Sequence, residues 1–89
     1  MNIDETLNER GTRYGEFANH ASISQRLKGV ARFELSYRDK MLAEDQLEAL
    51  EMIFHKIARI INGDPNYADS WIDIAGYATL VANRLEAKK

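Results

Sequence analysis

The sequence predicts an all-α domain: a small helical bundle of three principal helices plus a short N-terminal helix, closed by a C-terminal antiparallel helical hairpin. Two observations predict it. Apolar residues recur at intervals of three and four, the helical period, and β-branched residues do not alternate with polar ones. Punctuation is sparse, with five glycines and one proline in 89 residues. No repeat or low-complexity tract divides the chain, so residues 1–89 read as a single all-α domain.

The first segment, Asp4 to Arg10, reads as a short helix stopped by Gly11, with Thr12 to Gly15 as a turn. A second helix runs from Phe17 to about Glu34 with Ile23, Leu27, Val30 and Ala31 as its apolar face. Gly29 weakens it by about 1 kcal/mol relative to alanine. Leu35 to Leu42 is then a connection or a frayed extension. The third helix, Glu44 to Asn62, is the clearest. Leu47, Leu50, Phe54, Ile57, Ala58 and Ile61 fall on one stripe, which Ile53 and Ile60 widen. Gly63 stops it and Pro65 cannot continue it. The fourth helix starts near Tyr67, where Asp64 and Asn66 offer capping oxygens, and ends near Glu86. Its buried stripe reads Tyr67, Trp71, Ile74, Ala78, Val81 or Ala82, and Leu85. So short a connection between two long helices makes an antiparallel hairpin.

Composition excludes several classes of function. Without cysteine there is no disulfide framework, thiolate metal site or cysteine nucleophile. No apolar run is long enough to span a bilayer, and the N-terminus lacks the regions of a signal peptide, so no membrane partner and a cytoplasmic location are expected. A formal net charge of −2 argues against general nucleic-acid binding. Arg26, Lys28, Arg32, Arg38 and Lys40 make the middle of the chain locally basic, with Glu34 and Asp39 interspersed. No glycine-rich phosphate loop, serine triad or HExxH motif is present. A chain this short buries only roughly 60–65% of its unfolded surface, so its core is thin and a homo-oligomer is expected.

Two sets of residues carry chemistry. Glu48 and Glu51 share a flank of the third helix with His55, while Asp69 and Asp73 lie one turn apart at the start of the fourth. Acids on facing helices are what Mg²⁺ needs, since it takes a few carboxylates with water and substrate phosphates. The other reading makes Glu48 and Glu51 solvated and pairs Asp69 and Asp73 with Lys56 or Arg59. His55, Lys56 and Arg59 are candidate ligand-binding groups near the hairpin turn, and His20 stands in a helix start beside Asn19. Trp71, Tyr77, Phe54 and Tyr67 are aromatic at helical spacing, which fits a core as well as a stacking pocket. With Trp71 inward, Gly76 and Leu80 fall on the opposite face. A glycine there suits close approach by another backbone, which marks Gly76 and Leu80 as interface candidates.

The run EALEMIFHKIARIINGDPNYADSWIDIAGYA from Glu48 to Ala78, with the opening LNERGTRYGEF from Leu7 to Phe17, resembles a small phage and prophage family of unknown function. That resemblance implies an accessory protein in the host cell cytoplasm and a host or phage protein as partner. Glu48-Ala-Leu-Glu51 is also similar to the first metal motif of the MazG-like all-α nucleoside triphosphate pyrophosphatases. Asp69 to Asp73 reads DxxxD where that family carries ExxD. This second resemblance implies a nucleotide as ligand and Mg²⁺-dependent pyrophosphohydrolysis. Tyr14 and Phe17 are the residues that show whether the first helix packs on its own subunit or on another.

Overall fold

A computed structural model describes residues 2–87. It contains four helices and, among the described residues, no strand: α1 (Ile3–Tyr14), α2 (Phe17–Tyr37), α3 (Glu44–Asn62) and α4 (Ala68–Ala87). The chain is a small all-α bundle with α3 as its spine. α2 and α4 both pack along α3, α1 makes lighter contact with α2 and α3, and α2 does not pack on α4.

Each helix has a local reason to begin and end. Asn2 caps α1 by accepting from the Glu5 N–H at 2.9 Å. α1 does not stop at Gly11; it runs through that glycine, around which a side chain would meet nothing. It ends at Gly15, which takes φ 78° and returns its N–H to the Gly11 carbonyl at 2.9 Å. α2 continues past Glu34 to Tyr37 because its stop is Asp39, at φ 50°, a conformation aspartate tolerates. Lys40 N–H reaches back to Leu35 O at 2.9 Å and Asp39 N–H to Ser36 O at 3.1 Å, the paired bonds of a Schellman ending. At the start of α3 the Gln46 side chain accepts from the Ala43 N–H at 2.9 Å, and Glu44 and Asp45 complement the macrodipole. The hairpin is antiparallel: Arg84, near the end of α4, donates to both carboxylate oxygens of Asp45 in the first turn of α3. That bidentate bond is the largest influence holding the Asp45 carboxyl below its usual range.

The core is narrow, and its deepest positions are small or polar. Ala58 and Ala49 are the buried apolar residues among those described, joined by His20, Ser24, Lys56 and Ser70. Small side chains let helices approach closely but leave large ones at the margins. Trp71 is therefore not a core residue: it is half exposed and donates its indole N–H to the Pro65 carbonyl at 2.9 Å. The covered face of α4 is Ser70, Asp73, Ile74, Tyr77, Val81 and Arg84, rotated from the expected stripe because Ser70 rather than Trp71 faces inward. Val30 of α2 and Ile61 of α3, both expected inside, are also exposed. Nothing in the chain approaches Gly76, so the close backbone contact expected there is not intramolecular.

Two turns lock together at one end of the spine. Asn62, the last residue of α3, donates to the carbonyls of Tyr14 and Glu16, each at 2.9 Å. Asp64 N–H donates to Arg13 O at 2.7 Å. A Cβ on Gly15 would stand 2.3 Å from the Asn62 carbonyl oxygen, and one on Gly63 would stand 2.2 Å from that of Arg13. Neither obstacle is the movable tip of a side chain. Gly15→Ala and Gly63→Ala should each destabilise the fold by about 2–4 kcal/mol, whereas Gly11→Ala should stabilise it by up to about 1 kcal/mol. Urea denaturation of the three variants, followed by circular dichroism, checks the difference in sign.

Candidate functional site

The locked turns bring the end of α1, the start of α2 and the last turns of α3 around one concavity of about 500 Å³. Leu7, Tyr14 and Phe17 supply its apolar wall, His20 and His55 share the wall, and Arg10, Arg59 and Glu16 bring charge. A smaller concavity adjoins it and shares Arg10, Tyr14 and Arg59.

His20 and His55 come from helices far apart in sequence and meet at 3.2 Å, Nε2 to Nδ1. Their rings stand edge to face with centroids 4.4 Å apart, and Phe17 stacks on His20 at 6.0 Å. His20 is buried and its Nδ1 has no partner. An orphaned acceptor is tolerated more often than an orphaned N–H. We therefore assign the shared proton to His20 Nε2, which makes His55 Nδ1 the acceptor and leaves a His55 Nε2–H donor on the pocket side chain. Burial is the main reason that both imidazoles resist protonation, and it holds His55 down to about 4. The His20 ring, together with the cations Arg59, Lys56 and Lys28, adds to the effect on His55. The pair is neutral at pH 7.

Two tyrosine rings flanked by two arginines continue from this wall into the adjoining concavity. The Arg59 guanidinium carbon lies 4.1 Å from the Tyr14 ring centroid, and Arg13 lies 4.2 Å from that of Tyr67. The two tyrosines meet edge to face at 6.0 Å. Arg13 pairs with Glu9 at 3.6 Å, but among the described residues no carboxylate pairs with Arg10 or Arg59. Stacking occupies one face of the Arg59 guanidinium and leaves its in-plane N–H groups free to donate. Tyr14 thus packs on its own subunit, and with it the end of α1.

The sequence-derived candidates separate into those that meet and those that do not. His55 and Arg59 line the concavity together; Lys56 does not line it. Lys56 is buried against α4, with its ammonium 3.0 Å from the Asp73 carboxylate. Glu51 lies 3.8 Å from Arg32 of α2, and Asp69 accepts from the Tyr67 hydroxyl at 2.8 Å. That bond is the main reason the Tyr67 hydroxyl holds its proton more tightly than usual. Glu48 is exposed. Glu51, Asp69 and Asp73 thus have separate partners, and no three His, Asp or Glu side chains among the described residues are gathered as a metal donor set. Gly76 and Leu80 are both exposed and lie with Ile72, Asp73 and Tyr77 around a shallow depression of about 510 Å³ on α4. Sequence reasoning treated His20 and His55 as unrelated. The available signal was that His20, Ser24, Leu27 and Ala31 share one face of α2, which put the histidine on the side facing α3.

Residues 3–85 match the family model of DUF6378, a domain of unknown function, and the chain belongs to that family. Neither a curated protein nor a solved structure matches it.

The histidine pair sets a pH dependence. The unfolded His55 imidazole takes up its proton near 6.5 and the folded one only near 4. The unfolded state binds more protons between those values, so stability rises with pH there and is lost as pH falls through the window. Between pH 7 and pH 5 His55 should contribute about 1–2 kcal/mol of loss, so His55→Gln should lose less than wild type by about that amount and keep only the smaller share due to His20. Urea titrations at the two pH values test this. An imidazole resonance of His55 that titrates at 6 or above by proton NMR would refute the neutral pair.

The acids are separable by stability. Asp73→Ala strands the buried Lys56 and should cost about 1–3 kcal/mol, while Asp69→Ala, an exposed change, should cost less than about 1 kcal/mol. Equal costs, or a thermal stabilisation by Mg²⁺ that Glu51→Gln abolishes, would show instead that the acids act together on a cation.

Proposed function

We propose that this DUF6378 protein is a helical binding and interaction protein that works as a homo-oligomer, with α4 of a second copy seated on the Ile72, Gly76 and Leu80 stripe. One observation carries the reading: the chain leaves more surface uncovered than a compact monomer of its size. Its accessible area is 6563 Å², against about 5,300 Å² for a typical monomer of this mass. Its radius of gyration is 15.2 Å, against about 12 Å for a compact domain. The surplus of about 1,200 Å² exceeds the about 800 Å² that each partner contributes to a stable protein interface. Val30, Phe33 and Tyr37 on α2, and Ile72 and Leu80 on α4, are each more than 60% exposed, far from what an amphipathic bundle helix tolerates in isolation.

The α4 stripe suits a second copy. Ile72, Gly76 and Leu80 are spaced by four and lie on one face, with glycine at the centre where two helices crossing about a twofold axis come nearest. Such an arrangement is self-complementary, so one stripe serves both subunits. The phage or prophage accessory setting implied by the sequence resemblance fits a protein of this kind, and a host or phage partner would then meet the assembled form.

Sedimentation equilibrium should give a dimer or a higher assembly at micromolar concentration, and Leu80→Glu should shift it to the single-chain mass. Gly76→Ala separates the two ways of reading that glycine. On a free helix it stabilises by about 1 kcal/mol; at a close helix crossing it weakens association. A wild-type chain that sediments as a monomer overturns the reading.

A further inference from the structure

We propose that the concavity between α1, α2 and α3 is a binding site for a small organic anion, an aromatic or aliphatic body carrying one phosphate or carboxylate group. The site lies within one subunit and away from the α4 stripe, so it stands whether or not the chain assembles.

The shape and the lining set the ligand's body. About 500 Å³ lies in the range of small-molecule pockets, and Leu7, Tyr14 and Phe17 offer apolar contact. Phe17 is 76% exposed, an unusual position for a phenyl ring whose neighbour His20 is buried. A ligand between α1 and the start of α2 would cover it.

The charges set the head group. Arg10 and Arg59 border the concavity, and among the described residues neither pairs with a carboxylate. The Arg59 guanidinium carbon rests 4.1 Å from the Tyr14 ring centroid, which restrains the side chain at the rim, and a guanidinium can give two donors to the oxygens of one anion. The backbone adds to this. Glu16 precedes α2 without a side-chain cap bond, so the first N–H groups of that helix, beginning at Phe17, have no capping partner at the same rim. His55 Nε2–H adds one neutral donor. Glu16 is the sole carboxylate lining the concavity and biases the site toward a single anionic group rather than a polyanion. The groups facing the histidine pair are Lys28 of α2 and Lys56 and Arg59 of α3, all cations. Neutralising Arg59 with a bound anion removes part of that repulsion, so binding should ease protonation of His55.

Three probes test the site on the full chain: 1-naphthyl phosphate, 1-naphthoate and uncharged 1-naphthol, each titrated to millimolar concentration and followed by amide and imidazole NMR shifts. At least one anion should bind saturably with shifts at Tyr14, Phe17, His20, His55 and Arg59. It should bind at least tenfold more tightly than the naphthol and raise the pH at which His55 titrates. Preference for the phosphate or for the carboxylate identifies which natural head group the site takes. Arg59→Gln should weaken the anion ten- to hundredfold. Because Arg59 also packs on Tyr14, Arg10→Gln, an exposed change, provides the second variant and should weaken binding without altering the free spectrum. Equal binding of all three probes, shifts confined to Ile72 and Leu80, indifference to both arginine variants, or no shift at the concavity overturns the proposal. Sedimentation of the same samples reports assembly separately.

Discussion

Everything at the functional end of the molecule depends on the contact between two glycine turns. Gly15 and Gly63 bring the backbone of residues 13–16 against that of residues 62–64 more closely than any side chain permits. Asn62 and the Asp64 N–H then tie the two stretches of chain together with three hydrogen bonds, two of them to the Arg13 and Tyr14 carbonyls at the end of α1 and one to the Glu16 carbonyl, which also accepts from the His20 N–H. The contact joins the start of the chain to its second half, so its entropic cost is high and no local propensity supplies it. It places Tyr14 between Arg59 and Tyr67, and it starts α2 at the point from which His20 reaches His55 one turn later.

The same economy explains the exposed surface. α3 carries contacts on two sides, and its deepest residues are alanines. Helices that meet through alanine and serine gain close packing over a small area, and the larger apolar side chains remain at the edges where nothing in the chain reaches them. A monomer organised this way stands near the lower limit of what apolar burial can hold against chain entropy. Covering those edges by a second copy is the cheapest remaining source of stabilisation, which is why the shape of the subunit bears on what the protein does.

Local physics made much of this legible in the sequence. α3 begins at Glu44 and ends at Asn62 as its period and its Gly-Asp-Pro stop require, and the hairpin that follows is antiparallel. Single-residue punctuation was less dependable. Gly11 looks like a helix stop and Gly15 like part of a turn, yet the chain ends α1 only where a positive φ and a close neighbour demand glycine. Trp71 was misplaced for a different reason: periodicity weighs hydrophobicity, and a tryptophan with its N–H bound to Pro65 satisfies its polar edge at the surface while Ser70 fills the tight position. The histidine pair was the least legible feature. Each histidine was placed on its own helix correctly, but their meeting requires the turn lock, and the lock is a contact between residues almost fifty positions apart.

Charge then distributes itself in a way the net value hides. The chain is acidic overall by two charges, and several of its acids are paired along the length of the bundle: Asp73 with Lys56, Asp45 with Arg84, Glu51 with Arg32 and Glu34 with Arg38. The end made by the locked turns is different, since among the described residues Arg10 and Arg59 lack such partners beside one rim carboxylate. Proton uptake by the histidines is opposed there first by burial, which penalises the charged imidazolium, and then by nearby cations, Arg59 among them. The pair therefore stays neutral and offers a donor without adding charge, while the arginines supply the field. A neutral donor beside a guanidinium without a paired carboxylate is the chemistry that the proposed anion site needs, and the two meet because two glycines let the backbone close.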